Sequence, residues 1–318
     1  MLASVPKLFG RGFLVGFMLP AAFFLAYLVY GLGLDPVGLG SANGAAPEAV
    51  GRAAIAIAGL GLLLLVVNRP IVRGLEGYGR LNPLRLGLSW QRKRFDAATS
   101  AAKAAKDKLA DASARPTSAD TDALAALVER FPHEGRWLLP TRFGNVYRAY
   151  ESYPLVIYNI DAVLLWPRML CVIPELALEQ LRNARALFDF KVNSFVLSLV
   201  GGFVALGTWS SWAHGVCGVL SFALAVWLWV TLPAAVATWG DAFTSTFDLY
   251  RAVLAKKLGL KLPTELKTER SMWSAIAKMI RFRSSENAEY LDQFRLREAP
   301  TAETATPAGD GLAAESDD

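Results

Sequence analysis

Four long apolar segments constrain this chain more than any other feature of its sequence. They cover Gly12–Leu34, Ala53–Val67, Ser194–Trp212 and Val216–Trp239, and none contains a charged residue. A helix of about 20 apolar residues crosses the roughly 30 Å hydrocarbon core of a bilayer. Only residues 213–215 separate the last two segments. The pattern therefore predicts an all-α membrane protein with four transmembrane helices arranged as two hairpins.

The composition supports this class of protein. Of the 318 residues, 53% are hydrophobic and 19% are charged, whereas soluble domains average about 45–50% and about 25%. The two cysteines, Cys171 and Cys217, lie far apart, and so do the two histidines. We therefore expect no disulfide framework, no metal site and no cofactor. The net charge of +5 would suit nucleic acid, but the basic residues cluster beside the apolar segments, so no nucleic-acid partner is expected.

The basic residues predict the orientation of the four helices. Lys7 and Arg11 precede the first segment, whereas residues 35–50, between the first two segments, contain neither lysine nor arginine. Arginines are frequent after the second segment, and lysines are frequent after the fourth. Because such residues concentrate on the cytoplasmic side, we expect a multi-pass protein of the bacterial inner membrane with both termini in the cytoplasm. The first segment is too long for a cleaved signal peptide.

The apolar segments divide the chain into five parts. These are an N-terminal transmembrane hairpin (1–67), a cytoplasmic helical region (68–193), a C-terminal transmembrane hairpin (194–239), cytoplasmic amphipathic helices (240–297) and a tail (298–318). The tail is rich in Ala, Thr, Pro and acidic residues, and we expect it to be disordered. The arginine-rich stretch 68–90 is expected to form a loop at the membrane surface.

Helical patterns fill the cytoplasmic parts. Residues 91–114 have the composition of a helix, either packed weakly on its own chain or paired with another protomer in a coiled coil. Asp120 is a candidate cap for the next helix, and Thr141 for a helix that ends before Pro154. The run 175–193 is expected to continue into the third transmembrane helix. The stripe around Trp273 predicts an amphipathic helix that either lies on the anionic inner leaflet or packs against the chain itself.

The segment 160–175 is apolar, but it contains Asp161, Pro167 and Arg168. A crossing here would move the basic residues after the fourth segment to the outside and would place charges in a short span. We therefore expect a kinked segment beneath the bilayer with Trp166 at the interface. A re-entrant segment is the alternative.

A candidate binding site follows from side chains with helical spacing. Arg142, Asn145, Arg148 and Glu151 are three residues apart, and tyrosines repeat beside them. Together with Asp161, Trp166 and Arg168, this ridge could bind an anionic lipid head group or the carboxylates of a partner protein. The alternative is an internal Arg–Glu network that only stabilises the fold.

The sequence 139–168 reads LPTRFGNVYRAYESYPLVIYNIDAVLLWPR. It resembles the LPTRxGN…YxxDAxxLWPR signature of uncharacterised bacterial integral membrane proteins from GC-rich genomes. The resemblance implies a bacterial membrane protein, but no activity and no set of functional residues.

The sequence shows no catalytic constellation, and no ionisable residue lies at mid-depth in a predicted span. The leading interpretation is a membrane-anchored interaction or signalling component with anionic lipids and a cytoplasmic protein as partners. Small residues four apart, such as Gly12 and Gly16, suggest close helix contacts and a homo-oligomer. An oligomeric channel or transporter is the alternative. A lipid-acting enzyme that uses Asp161, Glu151 and Arg148 comes third.

Overall fold

The computed structural model describes residues 10–36, 38, 47–111, 115, 117–283 and 285–296. Its helices are α1 (Arg11–Gly31), α2 (Pro47–Glu76), α3 (Leu88–Ala110), α4 (Ser118–Arg130), α5 (Arg142–Tyr158), α6 (Ala162–Met169), α7 (Glu175–Gly207), α8 (Trp212–Lys257), α9 (Leu266–Phe282) and α10 (Ser285–Tyr290). The one pairing of extended backbone in these residues is an antiparallel bridge between Leu260 and Arg295. Lys7 and the tail 298–318 lie outside the described residues.

Four of these helices, α1, α2, α7 and α8, are long and apolar enough to cross a membrane. The prediction of an all-helical chain with four such helices is therefore confirmed. Their bounds differ from the predicted ones. The last two are joined by residues 208–211 rather than 213–215, and His214 lies in the first turn of α8, where its Nδ1 is 3.1 Å from the Ser211 hydroxyl. The predicted continuation of the helix from Glu175 into the third apolar segment is confirmed by the unbroken α7.

Helix α2 is much longer than its apolar segment. The stretch 68–90 was expected to be a loop, but α2 continues through Pro70 to Glu76. Asn68, Val72 and Glu76 recur every four residues and are buried, so one face of this extension packs against the protein. That burial offsets the backbone hydrogen bond that Pro70 cannot make. The expectation of a surface loop was wrong for 68–76.

Helices α3 and α4 form a pair outside the four apolar helices. The rings of Phe95 and Phe131 meet edge to face with 5.7 Å between their centroids. Thr117 is the N-cap of α4, and the Asp120 carboxylate accepts from the Thr117 backbone N–H at 2.9 Å. Asp120 is therefore the third residue of the helix and completes a capping box with Thr117. The prediction that Asp120 itself is the cap was wrong. Helix α3 was expected either to pack on its own chain or to pair with another protomer in a coiled coil. The structure shows the first of these contacts and does not test the second.

Helix α5 begins as predicted and ends later. The Thr141 hydroxyl accepts from the Gly144 N–H and donates to the Leu75 carbonyl, both at 2.9 Å, so the predicted cap is confirmed and also fastens α5 to α2. The predicted end before Pro154 is wrong, because α5 continues to Tyr158. Asn159 stops it by adopting a left-handed conformation, with φ of 61°.

The largest core cluster joins α6, the end of α8 and α9. Trp273, Met272 and Ile276 of α9 are completely buried, and so are Leu165 and Met169 of α6. Helix α9 therefore packs against its own chain, which was one of its two predicted arrangements. The segment 160–175 contains the eight-residue α6 and ends at the first residue of α7, and the Asp161 cap of α6 accepts from the Leu164 N–H at 3.0 Å.

A second core cluster links α5 to three of the apolar helices. Phe143 stacks on Phe188 of α7 at 5.9 Å, and Val72 of α2 and Val236 of α8 pack against them. Helix α5 therefore connects the apolar helices to the remaining helices.

The small residues of α1 pack inside the chain. A side chain at Gly16 would place its Cβ 3.2 Å from the Cβ of Asp189 and 3.4 Å from the carbonyl of Ala186. Gly12 faces Ala186 at a looser 3.9 Å. These glycines allow α1 to approach α7 closely. The predicted homo-oligomer is untested, and it would need a different surface.

Candidate functional site

The predicted site residues do not form one surface. They are distributed over two cavities and two internal networks: Arg142, Asn145, Arg148, Glu151, Asp161, Trp166 and Arg168. Glu151 and Trp166 line the larger cavity, and Arg142 lines a separate one. The i+3 spacing correctly places the residues on one helix, but neighbouring helices cover different parts of that ridge.

The larger cavity has a volume of about 990 Å³. It lies among the start of α1, α5, α6, the first turns of α7, and α8. One part of its apolar wall is a cluster of aromatic rings. The ring centroids of Trp166 and Trp239 lie 5.1 and 5.2 Å from that of Phe243. Tyr147 stacks on Trp239 with 5.1 Å between their ring centroids. Large aromatic surfaces of this kind dominate the energetics of protein interfaces.

The rim of this cavity is charged and balanced. Its cations are Arg11, Arg182 and Arg185, and its anions are Glu151, Glu179 and Asp189. Arg182 donates to Glu175 at 2.8 Å on the exposed surface. With equal numbers of each sign, the rim does not select for a ligand of single charge.

Arg185 connects the rim to the aromatic wall. Its Nε donates to Asp189 Oδ2 at 3.1 Å, and its guanidinium lies 4.7 Å from the Phe188 ring centre and 5.6 Å from that of Trp239. Burial raises the pKa of the Tyr147 phenol beside it. The stacked guanidinium holds the wall in place and presents a positive charge to the cavity.

Asp189 is also held from α2. Its Oδ1 accepts from Asn68 Nδ2 at 2.9 Å, and one turn further along α7 the Nδ2 of Asn193 donates to the Gly16 carbonyl at 2.8 Å. The Oδ1 atoms of Asn68 and Asn193 are buried and have no hydrogen-bond partner among the described residues. This buried polar junction of α1, α2 and α7 was missed from the sequence, because its members are scattered over 177 positions.

Glu151 belongs to a chain of interactions behind the rim. Arg148 forms an ion pair with Glu151 at 3.2 Å and donates a hydrogen bond to the hydroxyl of Tyr78, just after α2. This is the internal Arg–Glu network that was the alternative interpretation of the ridge, and it fixes the position of Glu151 at the cavity.

Asn145 is completely buried and is committed to structure. Its Nδ2 donates to the Leu139 carbonyl at 2.9 Å and to Gln91 at 3.2 Å, and its Oδ1 accepts from the Leu139 N–H at 2.7 Å. The side chain joins the loop before α5 to α3 and does not face a ligand.

Asp161 and Arg168 bond within the protein as well. Asp161 caps α6 and pairs with Arg281 of α9, and Arg168 donates to the Leu164 carbonyl at 3.3 Å. The carboxylates of Asp161 and Glu151, considered for lipid chemistry, are each engaged in an ion pair.

Two further tyrosines of α5 and its end converge on Asp248 of α8. The hydroxyls of Tyr153 and Tyr158 donate to its carboxylate at 3.0 and 2.8 Å. Burial, and then the bonded carboxylate, raise the pKa of both phenols above the ordinary value. They are therefore neutral hydrogen-bond donors at physiological pH.

A second cavity of about 220 Å³ lies on the other side of α5. Arg142 lines it together with Arg94 and Arg130, and Pro233 of α8 forms part of its wall. Local sequence patterns do not group these arginines, because 48 positions separate Arg94 from Arg142.

No metal centre is evident in the part of the chain that the structure describes, where no group of His, Cys, Asp and Glu could hold an ion. Cys171 and Cys217 are free thiols. Comparisons with protein-family models, with curated proteins and with solved structures found no match to this chain.

Proposed function

We propose that this chain is a multi-pass protein of the bacterial inner membrane that acts as a membrane-anchored interaction component. Its apolar helices would form two transmembrane hairpins with both termini in the cytoplasm. The remaining helices would form a cytoplasmic region that binds an amphipathic segment of a partner protein. The single observation that carries the proposal is the large cavity between α5, α6, α7 and α8.

The chemistry of that cavity favours a protein segment. Trp166, Trp239 and Phe243 offer an aromatic surface for apolar side chains. The rim has equal numbers of cations and anions, and an amphipathic helix can present both signs to it, whereas a simple anion or cation cannot. Aromatic residues and arginine are also the residues most enriched at binding hot spots.

Site-specific photo-crosslinking in living cells tests the proposal. A photoreactive amino acid replaces Val163, which lines the cavity and is 75% exposed. A matched variant carries it at Val128, which is 70% exposed and lies on α4 away from the cavity. We expect a discrete protein adduct from position 163 only, and we expect Trp166→Ala to remove it. Equal adducts at both positions, or none at 163, would reject the proposal.

A channel or transporter is the second candidate function, and the buried polar junction favours it. The unpartnered amide oxygens of Asn68 and Asn193 lie beside Asp189 in helices long enough to cross a membrane. Polar groups at such positions often mark ion pathways. Cation flux into vesicles containing the purified protein, abolished by Asp189→Leu, would support this function. Vesicles without flux would remove it.

A further inference from the structure

Three arginines from three helices converge on the smaller cavity. Arg94 lies in the second turn of α3, Arg130 is the last residue of α4, and Arg142 is the first residue of α5. Pro233, Ala234 and Ala237 of α8 also line the cavity. The cavity therefore lies where the apolar part of α8 meets the basic region of the chain.

The positive charge of this cluster is only partly balanced by the residues around it. Glu129 is the one carboxylate that lines the cavity, which leaves an excess of two positive charges. Within the described residues, none of the three arginines forms an ion pair. Burial, together with the charges of Arg142 and Arg130, lowers the pKa of Arg94. An anion would relieve this repulsion and bond to the guanidinium groups.

The N-terminus of α5 borders the same cavity through Arg142. Arg142 is the first residue of the 17-residue α5, whose Thr141 cap uses only one of the free N–H groups of that turn. The N-terminus of a helix carries a partial positive charge and favours phosphate. Three guanidinium groups and a helix terminus match the oxygens of a phosphate well.

An apolar cavity of about 360 Å³ adjoins the arginine cavity, since Gln91, Arg142 and Pro233 line both. Trp90 and Leu84 line it on one side, and Trp229 and Val230 of α8 on the other. More than half of the surface of Trp90 and of Val230 is exposed. A ligand that filled both cavities would carry an anionic group at one end and a hydrocarbon chain at the other.

We infer that Arg94, Arg130 and Arg142 bind the phosphate of an anionic phospholipid, whose acyl chain lies along α8 at Trp229 and Val230. The inference rests on the proposed placement of α8 in the membrane. It concerns a different site from the larger cavity proposed to bind a partner protein, since the two cavities share no lining residue. Anionic lipids are abundant in the cytoplasmic leaflet, and each nearby arginine adds to their attraction.

Native mass spectrometry of the full-length protein tests the inference, with phosphatidylglycerol and phosphatidylcholine added in equal amounts. We expect the wild type to retain phosphatidylglycerol over phosphatidylcholine by on the order of tenfold. Arg94→Gln with Arg142→Gln should abolish this preference. The matched control, Arg92→Gln with Lys93→Gln, removes two exposed charges from the same helix and should retain it.

A second variant and a soluble competitor complete the test. Arg142→Lys keeps the charge but loses the paired N–H geometry, so it should weaken retention several-fold in a protein whose unfolding midpoint is unchanged. Millimolar inorganic phosphate should leave phosphatidylglycerol bound. The inference would be overturned if phosphate displaced phosphatidylglycerol, or if the control variant lost the preference for this lipid as fully as the double variant did. It would also be overturned if the double variant kept the full preference. None of these results affects crosslinking at Val163, so the partner proposal stands or falls separately.

Discussion

Asn68 of α2 donates a hydrogen bond of 2.9 Å to Asp189 of α7, whose other oxygen accepts from Arg185 at 3.1 Å. The carboxylate is buried, and both of its oxygens are satisfied by these two partners. Gly16 allows α1 to lie close to this network, since a Cβ at this position would be only 3.2 Å from the Cβ of Asp189. Three of the apolar helices are thereby fixed to one another by polar contacts.

Replacing Asn68 should cost more stability than replacing Asn193. Asn68→Leu removes the donor from the buried Asp189 carboxylate, which costs roughly 1–3 kcal/mol. Asn193→Leu removes a hydrogen bond to the neutral Gly16 carbonyl, which typically contributes about 0.5–1.5 kcal/mol, so its cost is smaller. Each change also removes one amide oxygen without a partner, so that loss does not distinguish the two variants. Thermal unfolding of the detergent-solubilised variants measures both. Equal destabilisation would mean that the Asn68–Asp189 bond has no special role.

Gly144→Ala should disrupt the contact between α5 and α2. The added Cβ would lie 2.8 Å from the Glu76 carbonyl oxygen and 3.1 Å from its Cα, and backbone atoms cannot move aside easily. We expect a clear fall in the unfolding midpoint. Gly74→Ala is the matched control, because it lies within α2 and its Cβ meets nothing within 4 Å. That change should raise stability by about 0.4–1 kcal/mol. A harmless Gly144→Ala would contradict the described packing.

Met272→Ala should be much more costly than Met279→Ala. Met272 is completely buried in the core that joins α6, α8 and α9, whereas Met279 is only partly buried. Truncating a buried methionine typically costs about 2–5 kcal/mol. Limited proteolysis within α9, together with the unfolding midpoint, distinguishes the variants. If both were equally mild, α9 would lie on the membrane instead of packing against the chain.

The capping box of α4 should make its stability depend on pH. The Thr117 backbone N–H, followed by hydrogen bonds from Lys108 and the Thr117 hydroxyl, lowers the pKa of Asp120 to about 2, compared with about 3.9 in an unfolded chain. A lowered folded-state pKa stabilises the fold above the unfolded value, and this contribution disappears as pH falls from about 4 to about 2.

The corresponding measurement compares the wild type with Asp120→Asn. Hydrogen exchange of the α4 amides should be slower in the wild type at pH 6, and the difference should shrink as pH approaches 2. A difference that stays constant with pH would assign the stabilisation to something other than the carboxylate charge.

The hydrophobic pattern of the sequence was sufficient to predict the apolar helices, but it was insufficient to predict the candidate site. The absence of charge over 23 residues at Gly12–Leu34 leaves few alternatives to a long apolar helix. The sequence did not predict that α2 continues to Glu76, because the proline and arginines at Arg69, Pro70 and Arg73 are typical of a loop. Burial of Asn68, Val72 and Glu76 on one face outweighs that local preference.

The surroundings of the site residues could not be predicted from the sequence, because they depend on contacts between distant helices. Spacing along α5 correctly places Arg142, Asn145, Arg148 and Glu151 on one helix, but a ridge with steps of three residues winds around the axis, so its two ends face different cavities. It could not show that Gln91 of α3 covers Asn145, or that Arg94 and Arg130 approach Arg142. These contacts depend on how distant helices pack, and a single sequence does not encode such pairs in its local pattern.

Cysteine accessibility tests the central claim, a cytoplasmic helical region anchored by four transmembrane helices, most directly. In a Cys171→Ser, Cys217→Ser background, Ala213→Cys reports on the first turn of α8, beside its connection to α7, and Val128→Cys reports on α4. Both positions are exposed. With a membrane-impermeant maleimide, we expect position 213 to be labelled in intact spheroplasts and position 128 only after lysis. Labelling of position 128 in intact spheroplasts would contradict the account.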